Sequence, residues 1–210
     1  MNAVTGIATG IGLSTAAGLN AYLPLLIIAV LARFTDLIEL TPPYDALTSW
    51  WVIGVLAVLL VIELFVDKVP ALDTANDIVQ TVIRPIAGAI LFASNAHLLS
   101  EIHPVLAIAC GLLIAGGVHA AKATFRPVVT GTTGGMFNPV VSLLEDIVSL
   151  TTTILAVFVP ILLLFLIVVL IGIFIWLYRK RRQKRGILLK EKLAANDIVP
   201  SSSVRKDNPR

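Results

Sequence analysis

One cysteine, Cys110, occurs in 210 residues, inside an apolar run. A single thiol excludes an internal disulfide framework and any cysteine-based metal site. Charge is scarce too: 14% of residues are charged, against about 25% in soluble domains. The three histidines, His97, His103 and His119, show no ligand spacing, so no metal is expected. No nucleophile–base pairing stands out, and Gly131-Thr132-Thr133-Gly134-Gly135 lacks the Gly-Lys-Ser/Thr that completes a phosphate-binding loop. That stretch reads as a hinge. Neither an enzyme nor a bound cofactor is expected.

What is abundant is apolar surface, at 57% of residues and a mean hydropathy of +0.93. A soluble domain of this length has nowhere to bury so much. The net charge of +3 divides sharply along the chain. Residues 1–178 hold five basic and ten acidic side chains, a net of −5, and the last 32 hold eleven basic and three acidic, a net of +8. The basic character belongs to a tail, which argues against a nucleic-acid partner.

A spanning helix needs about 20 mostly apolar residues. Residues 6–32, 50–66, 104–121 and 152–178 qualify, with Glu63 placed near the end of its segment, and the shorter 86–100 qualifies when joined to the turn before Pro85. The first is too long for a signal-peptide core and lacks a basic start, so it is not read as a cleaved leader. Trp50, Trp51, Trp176 and Tyr178 stand at segment ends, where amphipathic rings favour the interface. Six positive charges between Arg179 and Arg185 predict a cytoplasmic C-terminus in an inner (plasma) membrane. The same cluster offers contacts to anionic head groups. Residues 196–210 read as disordered.

Two stretches exceed one crossing: Pro70–Leu99 would be about 45 Å as a helix and Asn138–Tyr178 about 61 Å. Each begins at a polar turn with a proline, which predicts a half-helix that enters and turns, then a full span. The two are related. Pro70, followed seven positions later by Asp77-Ile78-Val79, recurs as Pro139 and Asp146-Ile147-Val148 at an offset of 69. At an offset of 99, Ala8, Gly12, Ala16 and Asn20 match Ala107, Gly111, Ala115 and His119, and Gly18 coincides with Gly117. Small residues four apart make a helix face for close packing inside a membrane. Repeats containing broken helices are typical of transporters.

The expected architecture is therefore all-α: a polytopic bundle over 1–178, with repeat halves near 6–100 and 104–178, two proline-led re-entrant or broken helices, and a basic tail over 179–210. Asp77 and Asp146 are the leading functional candidates, with Glu145 adjacent to the second. A carboxylate in hydrocarbon faces a cavity or a partner; at the interface it would simply be hydrated. Arg84, two turns beyond Asp77, and the pair Lys122 and Arg126 are read either as an anion-binding cluster or as internal partners for the acids. Asn20 and His119 end the small-residue stripes as interhelical hydrogen-bonding groups, with proton relay a further role for His119. The Gly/Ala faces are candidate surfaces for a homo-oligomer.

Several motifs resemble a bacterial membrane family designated domain of unknown function 4126. They are Gly18-Leu19-Asn20-Ala21-Tyr22-Leu23-Pro24-Leu25-Leu26, Asp67-Lys68-Val69-Pro70 with Asp73 and Asp77, Arg84-Pro85-Ile86-Ala87-Gly88-Ala89, His119-Ala120-Ala121-Lys122-Ala123 with Arg126, and Asn138-Pro139 with Ser142 and Glu145-Asp146. The resemblance spans about 6–178. Asn20 stands where the family pattern carries arginine, which removes a cation beside the stripe and weakens an anion site there. The resemblance implies an architecture and no activity. The expected function is transport or flipping of a small anionic solute or lipid head group, coupled to protons or cations through Asp77 and Asp146 with the anion held by Arg84, Lys122 and Arg126, and with membrane lipids as partners. The alternative is a scaffold whose polar residues only lock helices together.

Overall fold

The computed structural model describes residues 3–66, 70–95, 103–160, 162, 165–176 and 178–180, with only the backbone path given for residue 3 and for 70–75. The segments carrying Asp67 and Lys68, His97 and Glu101, and the basic tail from residue 181 lie outside these residues, as does the Asp73 side chain. Among the described residues there is no strand. The helices are α1 (Ala3–Leu19), α2 (Tyr22–Phe34), a short 3₁₀ helix (Tyr44–Thr48), α3 (Trp50–Val66), α4 (Pro70–Asn95), α5 (Pro104–Thr133) and α6 (Asn138–Phe158). They fall in one compact unit, 1–165; in the other, 166–176 and 178–180 are helical, with Lys180 Nζ 4.7 Å from the Trp176 ring centroid. Three helices are long and apolar enough to cross a membrane: 76–95 within α4, all of α5, and α6.

The apolar stretch 6–32 does not form one helix. It breaks at Asn20–Ala21 because Pro24 has no N–H to offer the carbonyl four residues back, which is that of Asn20. The Asn20 side chain covers the exposed end: its Oδ1 accepts from the Leu23 N–H at 3.0 Å. The proline-led segments also differ from expectation. Pro70–Asn95 is one continuous helix that carries Pro85 in its interior, instead of a half-helix followed by a turn. Residues 152–178 are interrupted where Val159 takes an extended φ of −140° ahead of Pro160, as the residue before proline is pushed away from the helical region. Pro104 and Pro139 sit in first turns, where a missing N–H is harmless.

Helix α1 packs against α4, α5 and α6. Its small residues permit this: Ala8, Ala16 and Ala17 are buried, and Gly6, Gly10, Gly12 and Gly18 with them. Three hydroxyls fasten these contacts. Thr9 donates to the Ala156 carbonyl at 3.0 Å, Ser14 to Gly88 at 2.9 Å, and Ser149 to Ala16 at 3.0 Å. Interhelical bonds of this kind average about 0.6 kcal/mol in membranes.

The α4–α5 crossing is the tightest. A Cβ on Gly111 would strike the Gly88 carbonyl, and a Cβ on Gly88 would strike Ala115. Gly18 approaches Ala115 and Val118 in the same way, whereas its sequence mate Gly117 faces open space. Both stripes are spent inside the chain, with Ala107, Gly111 and Ala115 buried on α5. At one end Arg33 lies 4.3 Å from the Trp50 ring centroid, and Phe34 meets the same indole edge-on.

Candidate functional site

Helices α4 and α5 run antiparallel, and one seam between them is glycine-rich at one end and ionised at the other. Gly88 meets Gly111 and Ala115; beyond that, Arg84 and Thr81 meet His119, and Asp77 meets Arg126. The sequence dictates the alignment. Asp77, Thr81, Arg84 and Gly88 follow 3–4 spacing on α4, as do Gly111, Ala115, His119, Lys122 and Arg126 on α5.

The first polar group centres on Arg84, which is fully buried. Its Nη2 lies 3.0 Å from Glu63 Oε1 on α3, with the two side chains 0% and 1% exposed. Its Nη1 lies 3.1 Å from His119 Nδ1, and His119 Nε2 lies 3.1 Å from the Thr81 hydroxyl. Arginine only donates, so this pattern assigns a lone pair to Nδ1 and the proton to Nε2 of a neutral imidazole. The Thr81 hydroxyl in turn donates to the Asp77 backbone carbonyl at 2.8 Å. Gln80 is buried beside them, and the Tyr22 hydroxyl is within hydrogen-bonding reach of it.

The second group gathers where α1 ends. Lys122 Nζ lies 2.8 Å from Glu145 Oε2 and donates to the Leu19 carbonyl at 3.3 Å. A cation belongs there, since the last carbonyls of α1 are acceptors without helical N–H donors. Arg126 bridges two acids, with Nη1 3.3 Å from Asp77 Oδ2 and Nη2 3.2 Å from Glu145 Oε2. Asn20 Nδ2 donates to Asp146 Oδ1 at 2.9 Å. Across both groups three cations (Arg84, Lys122, Arg126) face four acids (Glu63, Asp77, Glu145, Asp146).

Helices α5 and α6 barely touch, and the gap between them is a cavity of about 330 Å³. Lys122, Arg126 and Glu145 form its polar wall; the rest is Leu19, Val118, Ala121, Phe125, Val129 and Val141. Both cations are already held by Glu145, whose side chain is more exposed than theirs, at 15% against 2% and 8%.

All eight side chains singled out from the sequence thus fall into these two linked groups. Arg84 crosses from α4 to Glu63 on α3. Asp77 and Asp146 have separate partners, Arg126 and Asn20. Glu63 was the main omission. It is one of three buried residues on α3, with Ile53 and Leu56, so it lies on the inward face of an otherwise apolar helix. A lone acid in 17 residues of that kind is itself the signal that could have found it. Among the described residues no cluster of three or more His, Cys, Asp or Glu could hold a metal ion.

A family model described as a domain of unknown function (DUF4126) matches residues 7–180. No curated protein and no solved structure matches the chain.

Proposed function

We propose, for a chain that belongs to the DUF4126 family, that it is a multi-pass membrane protein that binds and translocates a small anionic group in exchange for the charge of Glu145. The observation that carries this reading is the cavity wall. One carboxylate, Glu145, occupies two cations that both line a space large enough for a ligand. An entering anion would take its place on Lys122 and Arg126.

Charge balance favours coupling to a proton. Leaving Glu145 ionised beside a bound anion adds a buried negative charge, which is costly in low dielectric. Protonating Glu145 as the anion binds leaves the buried charge unchanged. The cluster has one more acid than base, so it accommodates one proton without gaining a net positive charge. Asp77 and Asp146, the repeated acids, then orient the wall: Asp77 steadies Arg126, and Asp146 holds Asn20 at the helix break. A broken helix whose ends meet ionised side chains supports translocation, because such breaks mark substrate sites in transporters. No catalytic step is involved. The basic run after Tyr178 would place the C-terminus in the cytoplasm of an inner membrane.

The competing reading is a non-transporting scaffold, favoured by the internal pairing of Arg84, Lys122 and Arg126. Flux decides between them. Proteoliposomes loaded with either inorganic phosphate or decanoate should release one of the two at a rate that depends on a pH gradient. Glu145→Gln should abolish that dependence. Flux of neither anion above that of empty vesicles, with only the melting temperature altered by the substitution, would establish the scaffold.

A further inference from the structure

We infer that the ligand of this cavity is a membrane amphiphile, an acyl-chain lipid with a small anionic head, and that it enters sideways between α5 and α6. The inference rests on the proposed exchange at Glu145 and names what takes part in it. Two observations carry it.

The first is the composition of the wall. Six of the nine lining residues are apolar, and the polar three are two cations and the acid they share. A free hydrated anion gains nothing from Leu19, Val118, Ala121, Phe125, Val129 and Val141. An acyl chain does, at about 0.8 kcal/mol for each methylene taken from water, while a carboxylate or phosphate suits the Lys122–Arg126 pair. Along α5 the lining runs from Val118 to Val129, about 16 Å of helix. Lys122 and Arg126 lie in its middle, so apolar wall flanks the charges on both sides.

The second is the mouth. Ala121 is exposed, and Phe125 is 67% exposed. Leu112 and Leu113 on the same helix and Leu143, Leu144, Ile147 and Val148 on α6 are exposed as well. Among the described residues, the exposed side chains that line the cavity, Ala121 and Phe125, are thus apolar, and both helices beside it carry further exposed apolar side chains. A molecule arriving through that surface already lies in hydrocarbon, and only its head must find polar partners.

The test uses the full chain in phosphatidylcholine nanodiscs with a diazirine-bearing palmitate as probe. Photolabel should concentrate on residues 118–129 of α5. Oleate and dioleoyl phosphatidic acid should compete, and millimolar inorganic phosphate should not. Ala121→Trp, which fills the mouth from an exposed position, should lower labelling there about tenfold, and Leu113→Trp, exposed but outside the cavity, should leave it unchanged. Label spread evenly over exposed helices and indifferent to Ala121→Trp would overturn the inference. So would protection by phosphate without protection by lipid; that result would retain the exchange at Glu145 for a water-soluble anion. Failure of both anions to show Glu145-dependent flux would instead remove the underlying reading.

Discussion

Replacing Glu63 with glutamine removes one charge from the most deeply buried ion pair in the described structure. The two side chains are 0% and 1% exposed and 3.0 Å apart. At that distance, with an effective dielectric of about 20, the gross attraction is about 5–6 kcal/mol. That figure overstates the net value, because both ions were desolvated to reach the interior. Removing one partner exposes this penalty: Arg84 stays charged, and its remaining described partner, His119, is a neutral acceptor. The expected loss is about 3–5 kcal/mol. It is a large part of the 5–15 kcal/mol typical of a folded domain. Unfolding in detergent, followed by circular dichroism, measures it. The double change Glu63→Leu with Arg84→Met removes both charges at similar volume and should recover most of the loss. A Glu63→Gln protein within about 0.5 kcal/mol of the parent would refute the reasoning, since ordinary surface changes do no more.

Gly111→Ala places a Cβ against the Gly88 carbonyl and the Phe92 side chain and should lower stability by about 1–3 kcal/mol, whereas Gly117→Ala, facing open space, should be neutral or raise it by up to about 1 kcal/mol; thermal unfolding of the two variants side by side checks the contrast. Asn20→Ala removes both the cap on Leu23 and the bond to Asp146 and should cost about 1–2 kcal/mol in the same assay. Asn20→Asp keeps the capping oxygen but sets a second carboxylate beside Asp146, so it should be worse than alanine at neutral pH and recover in acid.

Helical class and the identity of the packing faces were legible because they depend on local spacing. The stripe Ala107, Gly111, Ala115, His119 needs only a 3.6-residue period to be seen, and it is buried as expected. The pair Lys122 and Arg126 likewise shares one face. Partner choice was not legible. Whether Arg84 turns toward Asp77 or crosses to Glu63 depends on how α3 lies against α4, and nothing local to either segment encodes that. Proline was ambiguous for a related reason. Pro24 and Pro160 stand at breaks, yet Pro85 and Pro127 are carried inside α4 and α5. Neighbouring helices can absorb a lost backbone bond in one place and not in another. The offset-69 match predicted two equivalent acids, and in the fold their surroundings differ: Asp77 faces a guanidinium and Asp146 an amide. The distinctive residue of the site is Glu145, which has no acidic counterpart in the first copy, where Asn76 stands.

Proton uptake on ligand binding tests the exchange at Glu145 most directly. Decanoate is titrated into the detergent-solubilised protein in weakly buffered solution, with a pH-sensitive dye as the readout. The account predicts uptake approaching one proton per decanoate bound, binding that weakens as pH rises, and a Glu145→Gln variant that binds more tightly, takes up no proton and shows no pH dependence. Binding by Glu145→Gln that is weaker than that of the parent, or proton uptake that survives the substitution, would contradict it.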